Sequence, residues 1–74
     1  MDKNKENELR RLQSMTESLY YGCDDLMGLM QIENGHGFDV KKEDEEAFIA
    51  IGELHDVMDE YRNKLQDVLN NLKK

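Results

Sequence analysis

The sequence has little cysteine, few aromatic residues and no long apolar run. Its 74 residues contain one cysteine, Cys23, and no proline. A single cysteine cannot form a disulfide within the chain, which favours a reducing compartment. Residues 1–11 are polar, so no secretory signal is expected, and no apolar run approaches the roughly 20 residues that a membrane-spanning helix needs. We therefore expect a soluble, cytoplasmic protein with no membrane contact.

The composition favours helices over sheet. Aromatic residues make up only 7% of the chain, and strands prefer β-branched and aromatic side chains. Charged residues reach 36% and apolar residues 38%, and that apolar fraction is below the usual value for globular domains. At 74 residues the chain is one domain at most, near the lower size limit for a self-sufficient core. Long, solvated helices are the expected result.

One cluster of helix-breaking residues divides the sequence nearly in half. It contains Gly35 and Gly37, which supply the backbone conformations that end a helix. Because the connection is short, the two flanking helices are expected to be antiparallel neighbours. The sequence therefore predicts an all-α, antiparallel two-helix hairpin, a single domain over residues 1–74 with helices at about 5–33 and 41–72 and a loop at 34–39.

Both predicted helices carry an apolar stripe with alternating spacings of three and four residues, from Leu9 to Met30 and from Ala47 to Leu72. Further apolar residues flank the stripes, so a lone hairpin would leave apolar side chains in water. We therefore predict a homodimer that forms a four-helix bundle, with hetero-association as the alternative. The predicted dimer core is Leu12, Leu19, Cys23, Leu26, Met30, Ile51, Leu54, Met58, Tyr61 and Leu65.

Charge is unevenly distributed along the chain. Residues 1–11 and 61–74 together hold eight basic and four acidic side chains, a net charge of +4. Residues 12–60 hold thirteen acidic and two basic side chains, a net charge of −11. A hairpin places these groups at opposite ends, which favours an antiparallel dimer unless the charges are simply solvated outer faces. Nucleic-acid binding is not expected in the acidic region, because phosphate contacts need basic side chains.

Apolar residues among acidic ones near the turn indicate a partner surface, with burial in a larger oligomer as the alternative. The run from Glu43 to Glu46 also has a structural explanation, since carboxylates complement the positive end of a helix dipole. The predicted partner surface is Ile32, Glu43, Asp44, Glu46, Phe48, Ile49, Glu53 and Asp56.

Potential metal ligands are few. His55, Asp56 and Asp59 form an H-D-x-x-D pattern, but zinc or manganese would need further ligands nearby. Glu53, Asp56 and Glu60 share a helix face that is similar to the carboxylate helices of all-α nucleotide pyrophosphohydrolases, which are longer. A metal-dependent hydrolase is therefore a third-ranked hypothesis. We predict no catalytic residue, no metal site, no cofactor and no enzymatic activity.

The second helix resembles that of the plasmid copy-number protein Rop and its family. The similarity lies in Asp44-Glu45-Glu46-Ala47, Glu53-Leu54-His55-Asp56 and Asp59-Glu60-Tyr61-Arg62, although Tyr61-Arg62 comes one position early. It implies a homodimeric antiparallel hairpin that binds paired RNA loops. The family's RNA-binding residues lie on the first helix, where this chain has no match. In an RNA-binding protein the contact patch would be Lys3, Lys5, Arg10, Arg11, Arg62 and Lys64.

The leading prediction is a non-enzymatic protein–protein interaction module. Size and composition suggest a small bacterial, phage or mobile-element regulator or inhibitor that binds a partner protein through an acidic, apolar-tipped surface. The alternatives are a Rop-like RNA-binding homodimer and an acidic DNA mimic that inhibits a nucleic-acid enzyme.

Overall fold

The computed structural model describes residues 1–72 as two long antiparallel helices joined by a short β-hairpin. The Cα atoms extend over 53 × 20 × 14 Å, so the molecule is a flat rod. None of the helices in this range has a stretch that is both long and apolar enough to cross a membrane. The elements are α1 (Lys3–Met30), β1 (Gln31–Asn34), β2 (Gly37–Val40), a 3₁₀ turn (Lys42–Asp44) and α2 (Glu45–Leu72).

The all-α prediction is wrong at the connection between the helices. Instead of a loop at 34–39, residues 31–40 form a two-stranded antiparallel sheet. Consequently α1 ends at Met30 rather than near residue 33, and α2 begins at Glu45 rather than near 41. The predicted four-helix bundle likewise finds no support in this fold. The strand partners are Gln31 with Val40, Ile32 with Asp39, Glu33 with Phe38, and Asn34 with Gly37.

The turn chemistry explains why this connection forms strands. Gly35 and His36 are the two central residues of a tight hairpin turn, and Gly37 has a φ of 132°, which only glycine adopts readily. The side chain of Asn34 accepts a hydrogen bond from the backbone N–H of His36 (2.8 Å) and donates another to the carboxylate of Asp39. These Asn34 contacts close the turn and tie the two strands together.

Both helices begin with acidic groups that suit their amino-terminal ends. The carboxylate of Asp2 caps α1 by accepting a hydrogen bond from the backbone N–H of Lys5 (2.8 Å). Before α2, the backbone N–H of Asp44 donates to the carbonyl of Lys41 (2.9 Å), and Glu45 and Glu46 occupy the first helical turn. Negative charge at these positions stabilises the helix dipole, so part of the acidic run has a structural role.

The two helices meet along a seam that shares every second position with the predicted stripes and lies one residue later at the positions between them. On α1 the most buried side chains are Gln13, Thr16 and Cys23, and on α2 it is Leu69, which is 3% exposed. Burial recurs at alternating spacings of three and four residues, as in a coiled coil. The seam consists of Glu6, Leu9, Gln13, Thr16, Tyr20, Cys23, Met27 and Met30 on α1, and of Phe48, Ile51, His55, Met58, Arg62, Leu65 and Leu69 on α2.

This shift divides the ten predicted dimer-core residues into two sets. Five of them lie along the seam: Cys23, Met30, Ile51, Met58 and Leu65. The other five are between 42% and 50% exposed, namely Leu12, Leu19, Leu26, Leu54 and Tyr61. Half of the predicted core therefore packs the hairpin itself, and the other half remains on its surface.

Candidate interaction surfaces

An apolar surface runs along one side of the hairpin. On each helix its residues come directly before seam positions: Leu19 precedes Tyr20, and Leu54 precedes His55. A step of one residue back along either helix turns the side-chain direction by about 100° about the helix axis. Because the helices are antiparallel, these two rotations point to the same side of the hairpin. We call this surface the apolar face; it consists of Leu12, Met15, Leu19, Leu26 and Leu29 on α1 and Leu54, Val57, Tyr61 and Val68 on α2, all of them exposed.

The opposite side of the hairpin is polar, and two side-chain contacts join the helices there. Arg62 lies 3.9 Å from the carboxylate of Glu17, and His55 lies 3.9 Å from that of Asp24. Seen across its width, the hairpin is therefore amphipathic: polar contacts bridge the helices on one side, and apolar side chains border the seam on the other.

The seam contains an aromatic and cationic stack at its middle. The ring of Tyr20 is stacked on His55, with centroids 4.4 Å apart and an interplanar angle of 28°. The guanidinium of Arg62 lies 4.0 Å from the centroid of the same ring. His55 and Arg62 are two turns apart, or about 10.5 Å along the helix, so Tyr20 lies between them. Such a stack combines apolar contact with cation–π attraction.

Asp59 completes this stack. Its carboxylate accepts a hydrogen bond from Nε of Arg62 (3.1 Å). Partial desolvation lowers the pKa of Arg62, but the hydrogen bond and charge of Asp59, together with the phenol groups of Tyr20 and Tyr21, outweigh it, and the pKa is raised overall. Arg62 is therefore a permanent cation in the seam, held by contacts from both helices.

The H-D-x-x-D pattern does not form a metal centre in the part of the chain that the structure describes. Asp59 binds Arg62, and the ring of His55 is stacked on Tyr20 with its Nδ1 atom 3.3 Å from Asp56. Within residues 1–72 no group of three or more His, Cys, Asp or Glu side chains is arranged to hold a metal ion. The free thiol of Cys23 is buried in the seam.

The predicted partner surface is brought together only in part. Glu46, Ile49, Glu53 and Asp56 follow one another at spacings of three and four residues, so they form one strip on the outer side of α2. Ile49 is 61% exposed within this strip. Phe48, by contrast, lies on the seam and is half-buried.

The remaining predicted residues lie on the other elements of the turn end. Ile32 is exposed on β1, and Glu43 and Asp44 belong to the 3₁₀ turn that precedes α2. Sequence reasoning missed Phe38, which is 68% exposed on β2 and paired with Glu33. The alternation of Phe38 and Val40 after a glycine turn was the signal that could have identified it.

Five of the six basic residues of the predicted RNA patch lie beside carboxylates. The pKa of Lys64 is raised, first by its hydrogen bond to Glu60 and then by the charge of that residue. Neighbouring negative charge reduces the cationic footprint that nucleic-acid binding requires. The pairs are Lys5 with Asp2 (3.7 Å), Arg10 with Glu6 (3.2 Å), Arg11 with Glu8 (3.0 Å), Arg62 with Asp59 (3.1 Å) and Lys64 with Glu60 (2.9 Å).

Comparison with known proteins adds no relative. The chain matches no family model, and no curated protein and no solved structure is significantly similar to it. The resemblance to Rop therefore rests on residues 44–62 alone.

Proposed function

We propose that the chain is a non-enzymatic protein–protein interaction module that binds its partner through the turn end of the hairpin. The observation that carries this proposal is the exposure of three large apolar side chains among acidic ones: Ile32, Phe38 and Ile49. Single exposed apolar residues are common on protein surfaces. Three of them lie at one end of a small hairpin, with Ile32 and Phe38 on opposite faces of the two-stranded sheet. This gives the turn end the mixed apolar and acidic composition of a docking surface.

The chemistry of this end also limits the class of partner. Glu33 faces Phe38 across the sheet, and Asp39 lies opposite Ile32. Lys41 and Lys42 are the only basic residues between residues 12 and 60, a region with a net charge of −11. A partner with an apolar pocket bordered by Lys or Arg would complement this surface and be attracted to it over a distance.

Photo-crosslinking in cells that express the chain tests this proposal. A photoreactive phenylalanine analogue is placed at Phe38 in one variant and at Ile49 in a second. A third, control variant carries it at Asn63, on the same helix as Ile49 but about five helical turns from the start of α2 at the turn end. We expect the first two positions to give the same covalent adduct and the control to give none.

A companion variant makes the crosslinking result specific. Ile32→Ser combined with Glu53→Lys should abolish the adduct from Phe38 while leaving the helical circular dichroism unchanged. Equal adducts from all three labelled positions, or an adduct that survives this double substitution, would contradict docking at the turn end.

A second candidate function is suggested by the outer edge of α2. Every seventh residue there is acidic, giving a row of Glu46, Glu53, Glu60 and Asp67 with steps of about 10.5 Å. A regular acidic row suits the basic channel of a nucleic-acid enzyme, as in a DNA mimic. If the crosslinked partner binds DNA, competition by duplex DNA should remove the adduct; an unaffected adduct would exclude mimicry.

We also propose a cytoplasmic location. The support is the single cysteine, whose thiol is free and buried, as suits a reducing compartment. Fluorescence microscopy of a tagged chain, in the organism that makes it, would test this location directly.

A further inference from the structure

The apolar face is a second surface, which the proposed docking at the turn end does not use. Its nine side chains are exposed, whereas Cys23 and Leu69 are the only apolar side chains that are buried within residues 1–72. A continuous apolar strip along both helices is larger than the scattered apolar residues of an ordinary surface. We infer that a second copy of the chain covers this face, packed antiparallel, with the termini of one hairpin beside the turn end of the other.

The charges along the apolar face favour a second copy as the partner and an antiparallel orientation of the two copies. Toward the turn, the charges that border the apolar face are all acidic: Asp25, Glu46 and Glu53. Toward the termini, Lys5 and Lys64 lie on the face, and their charge is offset in part by Glu8, Glu60 and Asp67. An antiparallel pair places each acidic end beside an end that contains lysine. A parallel pair would bring the two acidic ends together, and like charges in register repel each other. The same asymmetry appears in the net charges of the two regions, +4 and −11.

The face is large enough for a specific contact. From Leu12 to Leu29 it extends about 25 Å along α1, and the hairpin is 20 Å wide. The product is about 500 Å² per copy, or about 1,000 Å² for both, which is the lower limit for a specific protein–protein interface. Contacts from the edges of the face would add to this area.

A glycine lies at the centre of the face. Gly22 falls between Leu19 and Leu26, and nothing lies within 4 Å of the position that its Cβ would occupy. Glycine in a helix interior is unfavourable relative to alanine, and no contact within residues 1–72 requires it there. A close approach by the partner copy would use this gap. Gly28 has equally open surroundings but lies on the polar side, so it provides a matched control.

Sedimentation equilibrium of paired variants tests the inference. Leu19→Glu places a charge in the middle of the apolar face, and Ile49→Glu places one on the outer strip of α2. Wild type and Ile49→Glu should sediment at twice the chain mass of 8.7 kDa. Leu19→Glu should remain helical but weaken association at least about 100-fold, because its carboxylate would be buried without a partner. Unchanged association of Leu19→Glu would overturn the inference.

A second pair of variants, at Gly22 and Gly28, tests the same inference if Leu19→Glu does not fold. Gly22→Ala should weaken association about tenfold, whereas Gly28→Ala should leave it unchanged, since both substitutions favour the helix equally. Equal effects of the two substitutions on association would contradict a close contact at the apolar face. Ile49→Glu alters only the turn-end surface. It can therefore remove binding of the crosslinked partner without affecting the dimer, so that failure of one proposal is distinguishable from failure of the other.

Distances between spin labels test the orientation. In a Cys23→Ala background, a label attached through Asn4→Cys should give an inter-copy distance of about 50 Å in an antiparallel pair. A label attached through Ser18→Cys, near the middle of the face, should give a short distance in either orientation and serves as the control. A short distance at Asn4 would establish parallel packing and overturn the proposed arrangement.

Discussion

The seam and the apolar face lie next to each other on the same two helices, yet they differ in composition. The seam includes Gln13, Thr16, His55 and Arg62. The apolar face has only apolar side chains along most of its length, and they are exposed. The hairpin therefore closes on its more polar surface and leaves its more apolar one outside. This pattern is expected when specific polar stacking holds α1 against α2 and hydrophobic burial holds the hairpin against a second copy.

The largest expected effect on stability lies at the seam. Leu69→Ala removes the most buried apolar side chain of residues 1–72, and we expect it to lower the free energy of unfolding by about 2–4 kcal/mol at every protein concentration. Thermal denaturation followed by circular dichroism measures the loss. A change below about 0.5 kcal/mol, the usual effect of a surface substitution, would mean that Leu69 is not a core residue.

A gain in stability is expected at Gln13, on the α1 side of the seam. The side-chain nitrogen of Gln13 is buried and has no hydrogen-bond partner within residues 1–72, and an unpaired buried polar atom costs about 1–3 kcal/mol. Gln13→Met, which keeps the size, should therefore stabilise the fold by about 1–2 kcal/mol. Denaturation by urea measures the gain. If Gln13→Met destabilises the protein, the amide must have a partner that this arrangement lacks.

The smallest effect in dilute solution is expected on the apolar face. Leu26→Ala should change the stability of the separate chain by less than about 0.5 kcal/mol, because this side chain is already half exposed. At concentrations where the chains associate, the same substitution should lower the melting temperature markedly, since stability then includes the free energy of association. Melting curves at two concentrations separate these regimes. A concentration-independent loss would mean that Leu26 packs within its own chain.

The number of helices, their antiparallel direction and the position of the reversal could all be predicted from the sequence. The breakers around Gly35 and the regular apolar spacing on either side determine them. The β-hairpin could not be predicted, because four-residue strands are too short to show a clear periodicity. Ile32, Phe38 and Val40 are its only strand-forming apolar residues.

The hydrophobic pattern alone could not predict the position of the seam either. Both the series that contains Leu19 and the neighbouring series that contains Tyr20 have helical spacing, and the former is more apolar. The chain packs the latter because Tyr20 forms a stack with His55 and Arg62. Such a stack depends on three residues from two helices, and no periodicity in one helix reveals it.

The central claim is that the apolar face is covered by another copy of the chain. Light scattering of the purified wild-type protein, over concentrations of about 1–100 μM, tests it most directly. We predict that the mass rises to twice 8.7 kDa within this range. A fully helical species that stays at 8.7 kDa throughout would contradict the claim.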